Sequence, residues 1–267
     1  MRTSARNPAL VLAALGTALA ISPLLVTADP AATDLARSLA SPSADHLLGT
    51  DLLGRDVLAR VLAGARLSAL TGLAAAALGL ALGGGVGLLS ALAPPRADAL
   101  LMRAVDSLAA LPTLVVSILL LAALGSSLGV LVLAVALTEW FVPARVVRAE
   151  AKRIRGREFV EAARNLGARP ARLVAAHVLP HLVPTLAATL ALTVPRAILA
   201  EAFLSFIGLG AAPPAVSLGA LLAEAVSCLD PVTRTAAPVL APAAALAAIL
   251  VSVNAFAEAI RERAAPR

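Results

Sequence analysis

Hydrophobic residues in this chain occur in long runs separated by shorter polar segments. The runs cover residues 8–27, 67–93, 104–124, 129–147, 182–204 and 236–257. About 20 apolar residues in a helix cross the ~30 Å hydrocarbon core of a bilayer. Only helices and closed barrels satisfy their backbone hydrogen bonds there. We therefore predict an all-α polytopic membrane protein with one helix in each run, which gives six transmembrane helices.

The composition supports a membrane protein and argues against other classes. Hydrophobic residues make up 60% of the 267 positions and charged residues 14%, against about half and about a quarter in soluble domains. The net charge of +6 does not indicate a nucleic-acid partner, because inserted proteins accumulate arginine in their cytoplasmic segments. Cys228 is the only cysteine, so the sequence predicts no disulfide framework.

The basic residues predict the orientation. Nine of the 22 Lys and Arg residues lie between Arg145 and Arg172, and such a segment belongs on the cytoplasmic side. We therefore predict that both termini are cytoplasmic. The first run also has the character of a cleavable secretory signal, whose removal would leave five spans. The predicted parts are an N-terminal span with an extracytoplasmic amphipathic segment (1–66), a transmembrane core (67–260) and a cytoplasmic tail (261–267).

The basic island between the fourth and fifth runs predicts a cytoplasmic helix–turn–helix over residues 148–180. Good helix formers extend from Arg148 to Leu166, Gly167 breaks the helix, and Pro170 suits the first turn of a second helix that ends near Pro180. Small and apolar residues recur at helical spacing in the first helix and predict a face that docks on a soluble partner. These residues are Phe159, Ala162, Ala163 and Leu166.

Two further patterns concern packing. Apolar positions between Gly54 and Arg66 share one helical face, which predicts a helix at the outer membrane interface, a packing brace or a polar linker. Gly79, Gly83 and Gly87 are spaced by four, which predicts a close approach of two helices.

Ionisable residues at membrane depth are Glu139, Arg196 and Glu201. Because a charge in hydrocarbon is costly, each should line a translocation path or belong to a structural ion pair, and Glu201 has the further option of the outer interface. His177 and His181 have helical spacing, but Pro180 intervenes and no third ligand is evident, so we predict no metal site. The only lysine, Lys152, is followed by Arg153 and not by the Ser or Thr of a phosphate-binding loop. We therefore expect no catalytic residues and no ATP hydrolysis in this chain.

Four segments resemble the permease subunits of bacterial ABC importers, in the dipeptide, oligopeptide and nickel branch. Glu161-Ala162-Ala163, three residues, Gly167 and then Leu179-Pro180 is similar to the EAA motif of that family. The other segments are residues 46–57, 102–112 and 201–214, so the resemblance covers about residues 45–260. Leu218 and Pro143 depart from the family pattern, since relatives often carry an aromatic residue at these places.

The resemblance implies a permease of the bacterial inner (cytoplasmic) membrane that works by alternating access. Its implied partners are a homologous second permease subunit, two cytoplasmic ABC ATPase subunits that hold ATP and Mg, an extracytoplasmic solute-binding protein and the lipid bilayer. The implied cargo is peptides, with nickel or another small solute as the alternative. The implied coupling residues are Glu161, Ala162, Ala163, Gly167, Leu179 and Pro180. Residues implied for docking of the binding protein are Gly54, Arg55, Asp56 and Arg60. The alternative from another class is a secondary carrier driven by an ion gradient. The sequence of such a carrier is expected to contain buried acidic residues near the membrane centre and inverted repeats.

Overall fold

The computed structural model describes residues 29–212, 214–226 and 237–264, and within these ranges the regular structure is helical, as the sequence predicted. The helices are α1 (Val57–Leu92), α2 (Pro95–Ala109), α3 (Thr113–Leu124), α4 (Leu128–Glu139), α5 (Phe141–Arg155), α6 (Glu158–Asn165), α7 (Pro170–Leu173), α8 (Leu179–Phe206), α9 (Leu218–Val226) and α10 (Ala237–Ala264). A π-helical turn, Val174–Val178, joins α7 to α8.

Three stretches of the described residues are long and apolar enough to cross a membrane, or up to five if each bent helix pair is one span. The three are Val57–Leu92, Pro170–Phe206 and Pro238–Glu262, and the bent pairs are α2 with α3 and α4 with α5. They coincide with five of the six predicted runs. The first run, 8–27, and its signal-like character lie outside the described residues. The count of six spans and the orientation remain predictions.

Two predicted straight spans are bent because of proline. α2 and α3 meet at an angle of 80°, since Pro112 is the N-cap of α3 and proline disfavours the helical conformation in the residue before it. α4 and α5 meet at 48° around Trp140. Pro143 lies in the first turn of α5 and has no N–H to donate to the end of α4.

The helix predicted at the membrane interface, residues 54–66, is not a separate element. Its residues from Val57 onward form the first turns of α1, so the predicted boundary after residue 66 falls inside this helix. The Asp56 carboxylate caps α1 by accepting a hydrogen bond of 2.7 Å from the Ala59 amide. With 36 residues, α1 is about 54 Å long.

Glycines of α1 allow its backbone to touch the α4–α5 pair. A Cβ atom added at Gly83 would overlap the carbonyl oxygen of Trp140, and one added at Gly87 would overlap that of Ala144. The prediction of close packing through the glycines is confirmed, and its partner is the helix that enters the basic island. By contrast, Gly85 has nothing within 4 Å of such an atom.

Gly83→Ala should destabilise the protein, and Gly85→Ala should not. The methyl group at residue 83 would push α1 away from α5, at a cost of about 1–3 kcal/mol for overpacking. At residue 85 the methyl group meets open space, and the higher helix propensity of alanine stabilises the helix by about 0.5–1 kcal/mol. Thermal unfolding of the two purified variants in the same detergent measures the difference. Equal melting temperatures would contradict the close contact.

Candidate functional site

The predicted coupling loop, residues 148–180, has a break in its first helix that the sequence analysis did not predict. α5 ends at Arg155 and α6 begins at Glu158, so the predicted continuous helix from Arg148 to Leu166 is wrong. Gly156 forms the C-cap of α5, and its amide donates a hydrogen bond of 3.3 Å to the Lys152 carbonyl. Glycine is among the weakest helix formers, and the chain turns at it.

The predicted break at Gly167 is confirmed, and its hydrogen bonds explain it. The Gly167 amide donates to the Arg164 carbonyl at 3.0 Å, and the Ala168 amide donates to the Ala163 carbonyl at 3.1 Å. This pair of bonds is the Schellman ending of a helix, which places a residue in the left-handed region. Gly167 occupies that region with a φ of 81°.

The loop leaves through a helix that does not stop where the sequence predicted. The predicted helix end near Pro180 is wrong, because α7, the π-helical turn and α8 form one stretch, Pro170–Phe206. Pro180 lies in the first turn of α8. The Leu179 amide reaches back to the Val174 carbonyl, and such a wide turn accommodates a proline that lacks its own donor. Leu179 and Pro180 therefore lie inside the exit helix.

The apolar face predicted on α6 is divided between the interior and the surface. Val160 is buried in a cluster with residues of α5 and α8, and Ala163 packs against the same cluster. Glu161 and Ala162 are exposed, and Leu166 is 89% exposed. The Phe159 ring stacks on His181 with a centroid distance of 4.9 Å. Ala163 thus holds the loop to the body of the chain, while Ala162 and Leu166 face outward.

A buried carboxylate joins the loop to the rest of the chain. Asp98, near the start of α2, accepts two hydrogen bonds from Arg148 and one each from Lys152 and Ser90. Sequence reasoning missed this cluster, because Asp98 lies 50 positions from Arg148. The only local signal is an acid in a short polar connection that also carries basic residues.

At the opposite end of α1, an ion cluster joins the segment before this helix to α9. Arg60, only 3% exposed, donates to Asp51 at 2.5 Å and to Glu224 at 2.7 Å. Arg55 bonds the same two acids, each at 2.7 Å. Burial alone would raise the pKa of Asp51, but the hydrogen bonds from Arg55 and Arg60 outweigh it and hold this pKa below its usual range.

The four residues predicted for docking of a binding protein lie in or beside this cluster. Gly54, Asp56 and Arg60 are buried, and Arg55 is half-buried. Gly54 has a φ of 71° and packs against the Asp34 backbone. Their geometry favours the alternative interpretation, a packing brace, and the docking role stays a prediction.

The three ionisable residues predicted at membrane depth have different surroundings. Arg196 lies 3.3 Å from Glu139 and lines a cavity of about 310 Å³ together with threonines of α8. Glu201 is 1% exposed and accepts a hydrogen bond of 2.7 Å from Ser205. Glu201 is therefore buried among the helices of this chain, and its place on a path, in an ion pair or at the outer interface stays a prediction. The Arg196–Glu139 pair fits both predicted roles.

Comparisons with known proteins agree on the family. Residues 83–266 match the family described as "Binding-protein-dependent transport system inner membrane component". The oligopeptide transport system permease protein OppC of Bacillus subtilis is 37% identical over 78% of this chain and 68% of its own length. The probable D,D-dipeptide transport system permease protein DdpC of Escherichia coli is 37% identical over 92% of this chain and 82% of its own length.

A solved structure shares the fold. The MetNI methionine ABC transporter in an inward-facing conformation has a chain that matches with a TM-score of 0.60. The match has 17% sequence identity and covers 79% of this chain and 97% of that one. At this identity the likeness concerns the fold of the helices.

Gly167→Ala should loosen the end of α6, and Gly156→Ala should not. Space is not the cause, because a Cβ atom at residue 167 has nothing within 4 Å. The cause is the left-handed backbone at residue 167, which costs an alanine about 1–2 kcal/mol. Gly156 has a φ of −85°, outside the left-handed region, so Gly156→Ala does not have this cost. Hydrogen exchange of the amides around residues 162–168 should accelerate by about five- to thirtyfold in the first variant. Unchanged exchange in Gly167→Ala would contradict the strained turn.

Proposed function

Given that the chain belongs to the family of inner membrane components of binding-protein-dependent transport systems, we propose that it translocates peptides across the cytoplasmic membrane as the permease of an ATP-driven importer. The relatives compared above are named as oligopeptide and dipeptide permeases, which supports peptides over nickel or another small solute. The observation that carries the coupling role is the surface of residues 158–170. It presents exposed apolar and small residues on a short helix beside the hydrogen-bonded turn at Gly167.

The contact with the ATPase is made by this surface. Leu166 is a large apolar side chain exposed at the tip of the loop, and Ala162 beside it leaves room for a partner backbone. A short helix with a small apolar face suits a groove on a soluble protein. Glu161 lies next to Ala162 on the exposed side and pairs with a basic residue of the ATPase. ATP and Mg bind to that partner, and this chain has no enzymatic role.

The mechanism is alternating access. When ATP closes a dimer of ATPase subunits, the loop is displaced together with the two helices that leave it, α5 and α8. α8 continues from the loop to the far side of the chain, so tilting it opens the opposite face of the pore. Release of phosphate reverses the movement.

The remaining partners follow from the same proposal. A homologous second permease completes the pore, and an extracytoplasmic solute-binding protein delivers the peptide. The Arg196–Glu139 pair and its cavity form part of the path between the two permeases. The rival function, a carrier driven by an ion gradient, would sustain uptake in the absence of ATP.

Leu166→Glu should weaken the association with the ATPase. A charge at the centre of an apolar contact is left without a partner, and hot-spot losses of about 2 kcal/mol or more correspond to at least a tenfold lower affinity. Leu47→Glu is the matched control, because Leu47 is also exposed but lies before α1. Co-purification of the ATPase with each variant measures the effect. Equal recovery with both variants would remove the proposed contact surface.

Orientation is tested by cysteine labelling in a Cys228→Ser background. We expect Arg164→Cys to react with a membrane-impermeant maleimide only after cells are opened, because the loop is cytoplasmic. Ser43→Cys, in the segment before α1, should react in intact spheroplasts; both positions are exposed. Labelling of residue 164 in intact spheroplasts would refute the coupling role.

A further inference from the structure

The Asp98 cluster couples three elements of the chain at the edge of the coupling loop. The carboxylate is only 5% exposed and receives a two-pronged hydrogen bond from Arg148, at 2.5 Å to Oδ1 and 2.7 Å to Oδ2. Lys152 bonds Oδ2, and Ser90 at the end of α1 donates to Oδ1 at 2.5 Å. α1, α2 and α5 are thus tied through one side chain.

Three other contacts between α1 and α5 lie on either side of the cluster. Toward the membrane, the Gly83 and Gly87 backbone touches the carbonyls of Trp140 and Ala144. Toward the loop, the Arg155 side chain donates to the Ala91 carbonyl. The whole of α5 therefore lies against α1, from the bend at its start to its last residue, Arg155.

We infer that Asp98 is a positioning residue for energy coupling, which joins α5 to α1 through Arg148 so that displacement of the loop moves both helices together. The inference rests on the proposed function, because it needs an ATPase that displaces the loop. Paired Arg–carboxylate hydrogen bonds resist sliding as well as separation. Without this pair, α5 could move relative to α2 and to the end of α1, so part of the displacement would not be passed on to them.

The chain supplies its own comparison. Arg145, one turn before Arg148 on α5, pairs with Asp106 on α2 at 2.8 Å. This second pair joins the same two helices, but its side chains are 48% and 61% exposed, and exposed pairs contribute little. The structure thus assigns the coupling role to the Asp98–Arg148 pair, whose side chains are 7% and 29% exposed.

The test compares Arg148→Gln with Arg145→Gln in the full complex with ATPase, second permease and binding protein, reconstituted in proteoliposomes. In Arg148→Gln, Asp98 keeps Lys152 and Ser90 as partners, so folding and assembly should be preserved. The measured quantity is peptide taken up per ATP hydrolysed. A merely structural defect lowers the number of active complexes and leaves this ratio unchanged. Asp98→Asn serves as a second variant, and Asp98→Glu as its charge-preserving partner.

We expect the ratio to fall at least tenfold in Arg148→Gln and Asp98→Asn and to stay within twofold of wild type in Arg145→Gln. Asp98→Glu should recover part of the loss. An unchanged ratio in Arg148→Gln, or an equal fall in Arg145→Gln, would overturn the inference. If the wild-type complex neither imports peptide nor hydrolyses ATP in response to the loaded binding protein, the proposed function fails and the inference fails with it.

Discussion

The direct contact between the backbone of α1 and that of α5 is the constraint on which the half of this fold nearest residues 148–180 depends. It exists because glycines at residues 83 and 87 leave no side chain between the two helices. A contact made by backbone atoms has no rotamers through which to adapt. The helix that enters the coupling loop, α5, therefore takes its position from α1.

The two ends of the coupling loop are connected to the membrane part in different ways. At its start, α5 is held by contact with α1 and by the Asp98 cluster. At its end, the chain runs without interruption through the π-helical turn into α8. Between them, Val160 and Ala163 pack the loop against residues from both sides. A displacement of α6 would therefore be passed to both α5 and α8, which is what the proposed coupling requires.

Local patterns in the sequence were enough to predict the long apolar helices, the contact through the α1 glycines and the turn at Gly167. Each depends on a residue and its near neighbours: hydrophobicity summed over a run, the spacing of glycines, or the backbone freedom of one glycine. The break at Gly156 and the continuation of the helix through Pro180 were not predicted. In both places the outcome depends on which backbone hydrogen bonds form, and the presence of a weak helix former does not decide it. The pairs Asp98–Arg148 and Arg60–Glu224 join positions 50 and 164 residues apart, and no periodicity reports such a distance.

The ionic clusters at the two ends of α1 differ from the Arg196–Glu139 pair in the number of partners that each carboxylate has. At one end of α1, Asp98 has three partners; at the other, Asp51 and Glu224 share two arginines. Loss of one bond in either cluster leaves each of these carboxylates with at least one other partner. Glu139 is different, since Arg196 is its one ionic partner among the described residues. Separating that pair leaves a carboxylate that needs water or another cationic group, and Arg261 lines the same cavity as Arg196. Because Arg196 is more than half exposed beside this cavity, the Arg196–Glu139 pair fits the proposed path better than the two clusters do.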